Sequence, residues 1–192
     1  MNSTAVGRPA KSNQRLSKQI ILKAALLIVQ EQGTDSLSFR VLADTLQVTP
    51  MAVTYHSGSK RNLMADLVEL AFHNTLQGVT DDAPSARARC ILNAYFKRAM
   101  LNANLLRAVL KDESLMSDEL LLVTDELRVC TQELDKGDIG NVLMHLLIDY
   151  THGFVLSATS GGNNTLTEDD YLRGVDWILA RTASEEGEQT FD

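Results

Sequence analysis

The stretch Thr49-Pro-Met-Ala-Val-Thr-Tyr-His-Ser-Gly-Ser-Lys60 decides how the chain is read. Thr49 is a favourable N-cap, and Pro50 follows at the first helical position, where its missing N–H leaves no bond unmade. A short helix therefore begins at Thr49. Ser57-Gly58-Ser59 is turn composition and ends that helix near His56. Ser59 can cap a further helix beginning at Lys60. Upstream, Phe39, Leu42, Ala43 and Leu46 share one helical side, and only Gln47 and Val48 separate that segment from Thr49. Two short helices joined by so tight a turn make a helix-turn-helix. In the second of them Val53 points inward. At about 100° per residue, Met51 and Tyr55 lie nearly opposite it, with Ala52 and Thr54 on the shoulders. This outer face carries no acid and is suited to approach a polyanion.

The charge of the whole chain points the other way until it is resolved by position. The net charge is −7 over 192 residues. Residues 1–60 hold seven Lys or Arg against three acids, a balance of +4, so the rest stands at −11. A basic head on an acidic body is the informative asymmetry. Its plain alternative is two solvated surfaces of different composition. Few prolines and few aromatics favour an all-α chain over a β-sandwich. No apolar run has the length of a membrane span, and no signal-peptide core opens the chain. Cys90 and Cys130 lack any paired spacing and read as reduced thiols of a cytoplasmic protein.

Working outward, residues 1–15 read as a flexible basic arm. Its Gly7-Arg8-Pro9 could place an arginine in a narrow minor groove, and a tail without a role reads equally well. Ser17–Gln32 has Ile21, Ala25, Ile28 and Val29 on one helical face, with Gly33 as its stop. Ser36 or Ser38 caps the second helix. The fourth helix is expected from Lys60 to Leu76, with Leu63, Leu67, Leu70 and Ala71 apolar.

The segments Ile21–Gly33, Ser38–Ala43, Val48–His56 and Ser59-Lys60, in this order and spacing, resemble the N-terminal domain of TetR-family transcriptional regulators. The resemblance spans about Leu16–Leu67. It implies a dimer with a helix-turn-helix head and an all-helical ligand-binding body. By position, Thr49, Met51, Ala52, Thr54, Tyr55 and His56 match the DNA-facing recognition helix. Ser38 and Arg40 match the preceding helix, and Lys60 the phosphate-binding lysine. The chain has Gln47 where that family often has Gly, Thr54 where it often has Tyr, and Ser57 where it often has an aromatic. The implied partners are double-stranded DNA, a small-molecule effector and a second copy of the chain. A plain helical hairpin with a polar face is the alternative for the same residues.

The expected organisation is thus 1–15 arm, 16–78 DNA-binding domain and 79–192 ligand-binding and dimerisation domain. Helices are expected at Ser85–Asn102, Leu105–Lys111, from Ser117 to about Leu134, at Ile139–Ser160 and at Glu168–Arg181, the last opened by a Thr167/Asp170 capping box. Ile139–Ser160 is apolar nearly all round and needs cover on all sides. A second molecule, paired through 139–160 and 168–181 as the resemblance implies, would supply it; a self-sufficient monomeric bundle is the alternative.

No Gly-x-Ser-x-Gly, phosphate-binding glycine loop, His-Glu-x-x-His or zinc-spaced Cys/His cluster occurs. No catalytic residue, cofactor or metal is expected. His145, Asp149 and His152 share a helical face and could hold a metal or a polar ligand, or serve as structural polar groups. Tyr95, Met100, Leu106 and Met116 are candidate pocket walls, with ordinary core as the alternative. The reading is a ligand-responsive repressor acting as a dimer on a palindromic operator. The other reading is a helical ligand-binding or adaptor dimer without specific DNA recognition.

Overall fold

The computed structural model describes residues 16–161 and 165–182. The Gly7-Arg8-Pro9 arm lies outside them. The described residues form nine α-helices with two short 3-10 turns between them. None of these helices is long and apolar enough to cross a membrane.

The head is built from α1 (Lys18–Gln32), α2 (Phe39–Leu46), α3 (Pro50–Ser57) and the first turns of α4 (Lys60–Phe72). Each start is capped by the hydroxyl of the preceding residue. Ser17, Ser38, Thr49 and Ser59 accept from the N–H of Ile20, Val41, Ala52 and Asn62. Such caps satisfy donors that a helix cannot pair internally, each worth about 1 kcal/mol. Ile21, Ala25, Leu42, Ala43, Val53, Leu63 and Leu67 are fully buried and form the head's core.

The turn between α2 and α3 has a form the sequence conceals. Gln47 is left-handed, at φ 55 and ψ 43. Its N–H bonds to the Asp44 carbonyl at 3.3 Å, and the Val48 N–H reaches back to the Ala43 carbonyl at 2.9 Å. This is a Schellman closure, which favours glycine at the position Gln47 occupies. The turn keeps its geometry and bears the cost of a Cβ.

Helix α4 ends four residues before its expected limit at Leu76. His73 leaves the helical region, Asn74 has φ 56, and the Thr75 hydroxyl bonds the Phe72 carbonyl at 2.5 Å. Leu76 still packs on the core, which is why its spacing imitates a continuing helix.

In the body, α5 (Pro84–Leu101) is the central helix, contacting α4, α6 (Ala103–Lys111), α7 (Asp118–Leu134), α8 (Val142–Ala158) and α9 (Glu168–Thr182). Tyr171 of α9 is fully buried. Its ring stacks on Phe96 at 4.1 Å and on Tyr150 at 5.6 Å, and meets Phe154 edge-on at 5.4 Å. Its hydroxyl pairs with Thr151 at 2.7 Å and donates to the Leu92 carbonyl at 3.3 Å. One side chain thus fastens α9 to α5 and α8 with its polar end satisfied. Thr167 and Asp170 form the expected reciprocal cap of α9.

Helix α8 starts at Val142, not Ile139. Asp138 accepts the N–H groups of Val142 and Leu143, both at 2.8 Å, and so caps from outside, leaving Ile139 97% exposed. Met144, Leu147, Thr151 and Val155 face inward. Val142, His145, Leu146, Asp149, Gly153 and Ser157 face outward. The helix is therefore two-faced, with a partly apolar outer strip that the described residues leave uncovered.

Two substitutions test this packing by thermal and urea unfolding. Gln47→Gly should stabilise the fold by about 0.5–1 kcal/mol, because the left-handed position no longer carries a side chain. Gly174→Ala should destabilise it by about 1–3 kcal/mol through overpacking, since a Cβ at Gly174 would fall 2.0 Å from the Tyr150 hydroxyl.

Candidate nucleic-acid interface and ligand cavity

The outer face of α3 follows directly from its register. Val53 is fully buried, while Met51 is 81% and Tyr55 84% exposed. One helical turn apart, the two side chains stand together on the outer face. Thr54 is exposed and donates its hydroxyl to the Pro50 carbonyl at 3.0 Å, leaving its oxygen lone pairs and methyl group outward. His56 is half-buried and meets Tyr55 edge-on, with ring centroids 5.2 Å apart. Ala52 is half-buried at the shoulder.

Ser38 and Thr49 are exposed, but each uses its oxygen as a cap, so only the hydroxyl proton is available to a phosphate. Arg40 on α2 and Lys60 at the start of α4 are exposed. Neither enters an ion pair among the described residues. Lys60 also stands at a helix N-terminus, where the backbone dipole favours an anion. Arg61, exposed beside it, adds a cation that the sequence reading did not single out; its adjacency to Lys60 was the available signal.

A second feature lies in the body, where α5, α6, α7 and α8 enclose a cavity of about 90 Å³. Four of the seven residues expected at a ligand site line it: Tyr95, Leu106, Met116 and His152. Three do not. Met100 is half-buried and packs on the core elsewhere, and His145 and Asp149 are exposed on the outer strip of α8. Helical register explains this. Asp149 lies far around the helix from the inward line Met144–Thr151–Val155, whereas His152 borders that line and meets α5. Of His145, Asp149 and His152, only His152 reaches the cavity. The remaining walls, including Leu92, Val109, Leu120, Val123 and Ile148, are apolar. They were hidden in the sequence because lining and core residues share the same helical periodicity.

Polar chemistry in the cavity is sparse. The Tyr95 hydroxyl and His152 Nε2 are 2.8 Å apart. Thr124 spends its hydroxyl on the Leu120 carbonyl at 3.0 Å. Burial pushes the Tyr95 phenol well above its ordinary range, so it stays protonated. Burial also pushes His152 below its ordinary 6.5, opposed in part by Asp149, so the ring is neutral at pH 7. Among the described residues, no charged side chain lines the cavity.

No protein-family model matches the chain, and no curated protein matches it by sequence. Solved structures do match. BioQ of Mycobacterium smegmatis superposes with a TM-score of 0.70 at 20% identity, covering 88% of this chain and 99% of that one. BioQ with its natural double-stranded DNA operator gives 0.71 at 20% identity, with the same coverage. ActR, a TetR family protein of Streptomyces coelicolor in complex with (S)-DNPA, gives 0.66 at 16% identity, covering 90% and 100%. A TetR variant of Acinetobacter baumannii AYE in complex with minocycline gives 0.66 at 20% identity, covering 87% and 96%. The chain has the all-helical, two-part fold of TetR-family regulators, a helix-turn-helix head on a helical body.

The neutral state of His152 has a measurable consequence. A histidine whose value falls on folding is protonated first in the unfolded chain, so its contribution is present above about 6.5 and lost as pH drops toward the folded value. Urea unfolding at stepped pH should therefore show stability falling from pH 7 toward about 5. His152→Gln should fall less steeply. Identical pH slopes for the two proteins would contradict the buried neutral ring.

Proposed function

We propose that the chain is a DNA-binding transcriptional regulator, a repressor that acts as a dimer on a palindromic operator and is released by a small effector. The observation that carries this reading is the outer face of α3. Met51 and Tyr55 stand almost fully exposed there, flanked by the exposed cations Arg40 and Lys60. Side chains at such positions read base edges, and the cations and hydroxyls hold phosphates. Residues 16–78 are the DNA-binding domain, 79–192 the ligand-binding and dimerisation domain, and Ser38, Arg40, Thr49, Met51, Ala52, Thr54, Tyr55, His56 and Lys60 the contact set.

Dimerisation uses the outer strip of α8 and the facing side of α9. Val142 is 67%, Leu146 50% and Trp177 58% exposed, while the guanidinium of Arg181 lies over the Trp177 ring at 3.5 Å. Leu147 and Phe154 belong to the subunit's own core and are poor probes of an interface. The effector occupies the cavity beside Tyr95 and His152. Its walls suit a neutral, mainly apolar molecule with one hydrogen-bonding group. The space is below the roughly 150 Å³ that holds a benzene in an engineered apolar cavity, so entry requires movement of Met116, which is 44% exposed at the rim. The unbranched thioether of a methionine adapts readily to such movement. The adaptor reading, a dimer without specific DNA recognition, is the outcome if the head binds no sequence selectively.

Three measurements follow. Lys60→Ala should weaken binding to specific and random duplexes alike and make the salt slope shallower by about one unit, whereas Tyr55→Ala should also change sequence preference; equal losses on both DNAs for both variants would remove the recognition-helix assignment. By light scattering at micromolar concentration, the wild type should be a dimer, with Leu146→Glu and Trp177→Glu monomeric and helical by circular dichroism; a wild-type monomer would refute the interface. In a thermal-shift screen of neutral apolar compounds, hits should lower operator affinity, and Tyr95→Phe should change their dose response while leaving unliganded DNA binding intact. Stabilising hits without effect on DNA affinity would break the link between cavity and head.

A further inference from the structure

A third cluster lies apart from the outer face of α3 and from the cavity, where head and body meet. Glu69 lies in the last turn of α4, and His73 directly follows its end. Glu119, in the first turn of α7, faces them. The Nδ1 of His73 is 3.1 Å from a carboxylate oxygen of Glu119. One ligand atom of each of the three residues lies within 4.8 Å of the other two.

The charges around the cluster point to a cation. No ion pair between either carboxylate and a lysine or arginine occurs among the described residues; the partner of Glu119 is His73. The Glu119 side chain is only 17% exposed, so water screens it poorly. Two carboxylates held this close repel unless positive charge is supplied. The imidazole side chain, 59% exposed, leaves a path for an ion.

The donor set selects the kind of ion. One imidazole nitrogen with two carboxylate oxygens suits Zn²⁺, Co²⁺ or Ni²⁺, whereas Mg²⁺ and Ca²⁺ prefer all-oxygen shells. Ligands about 2.0–2.2 Å from a zinc ion stand roughly 3–3.5 Å from one another. The His73–Glu119 edge already has that separation, and a Glu69 oxygen lies within 4.8 Å of both.

We propose that Glu69, His73 and Glu119 form a site for a divalent first-row transition ion of the zinc type, with water completing its shell. The ion takes the place of the hydrogen bond between His73 and Glu119 and joins α4 to α7. Lys60 begins α4, and Leu120 and Val123, which follow Glu119 on α7, line the cavity. The site therefore ties the helix that carries the head to the cavity wall. It stands independently of the DNA-binding reading: a chain that takes up the ion but binds no DNA would sink that reading and leave this one intact.

The test uses the full chain without a histidine tag. Zn²⁺ is titrated by calorimetry and Co²⁺ by visible absorption. The expected result is a single ion per chain, a zinc-dependent rise in melting temperature and visible Co²⁺ bands. His73→Ala should abolish all three. Glu119→Gln, which keeps shape and hydrogen bonding, should weaken binding by at least about tenfold. His145→Ala, which removes the exposed histidine of α8, should bind like the wild type. Absence of saturable Zn²⁺ binding, or equal binding by wild type and His73→Ala, would overturn the proposal.

Discussion

The contact between Phe72 and Tyr95 joins the head to the cavity wall. Phe72 is the last residue of α4 and is fully buried; Tyr95 is in the middle of α5. Their ring centroids are 5.9 Å apart. On its other side Tyr95 bonds His152 and forms part of the cavity wall. A displacement of Tyr95 therefore has a packed neighbour at each end, one in the cavity and one on the helix that begins with Lys60. Close-packed interiors do not absorb such a displacement by compression. They transmit it or exchange it for another packing.

A second join restrains the same boundary from the side of α1. The Gln30 side chain donates to Asn102 at 2.9 Å, and Asn104 donates to the Val29 carbonyl at 2.8 Å. Asn102 is 4% exposed and separates α5 from α6. The head is thus held by an aromatic contact at the end of α4, by amide hydrogen bonds from α1 and by the His73–Glu119 pair between α4 and α7. An effector that favours a second arrangement 100-fold shifts DNA affinity by about 2.7 kcal/mol. That is comparable with a few hydrogen bonds of this kind, each worth roughly 1 kcal/mol net. The proposed switch needs rearrangement at this boundary and leaves the cores on either side intact.

Most of the head was legible because its determinants are local. Caps at Ser17, Ser38, Thr49 and Ser59 precede apolar residues at helical spacing, and both signals act within a few residues. The Schellman turn at Gln47 was not legible, since its usual glycine is missing and the surrounding helices impose the left-handed backbone. Leu76 misled for a related reason: it is apolar at the right spacing, yet it reaches the core from a turn. In the body, Tyr95, Leu106, Met116 and His152 were separable as candidates, but Asp149 and His145 were not separable from them. Sequence period places a residue around a helix to within a few tens of degrees, and neighbouring helices then decide which border positions are covered. The meeting of Glu69 and His73 with Glu119 was beyond reach, because it depends on how the start of α7 crosses the end of α4.

The proposed function requires two copies of α3 presented in fixed two-fold relation to a duplex. Dimeric helix-turn-helix proteins of this geometry read half-sites about 34–36 Å apart, or multiples of that distance. Repeated selection of full-length protein on a random-sequence duplex library tests this most directly. The account predicts enrichment of an inverted repeat whose half-sites are centred about one helical turn, or a small multiple of it, apart. A library that returns no enriched sequence, or a single half-site without its inverted partner, would contradict it.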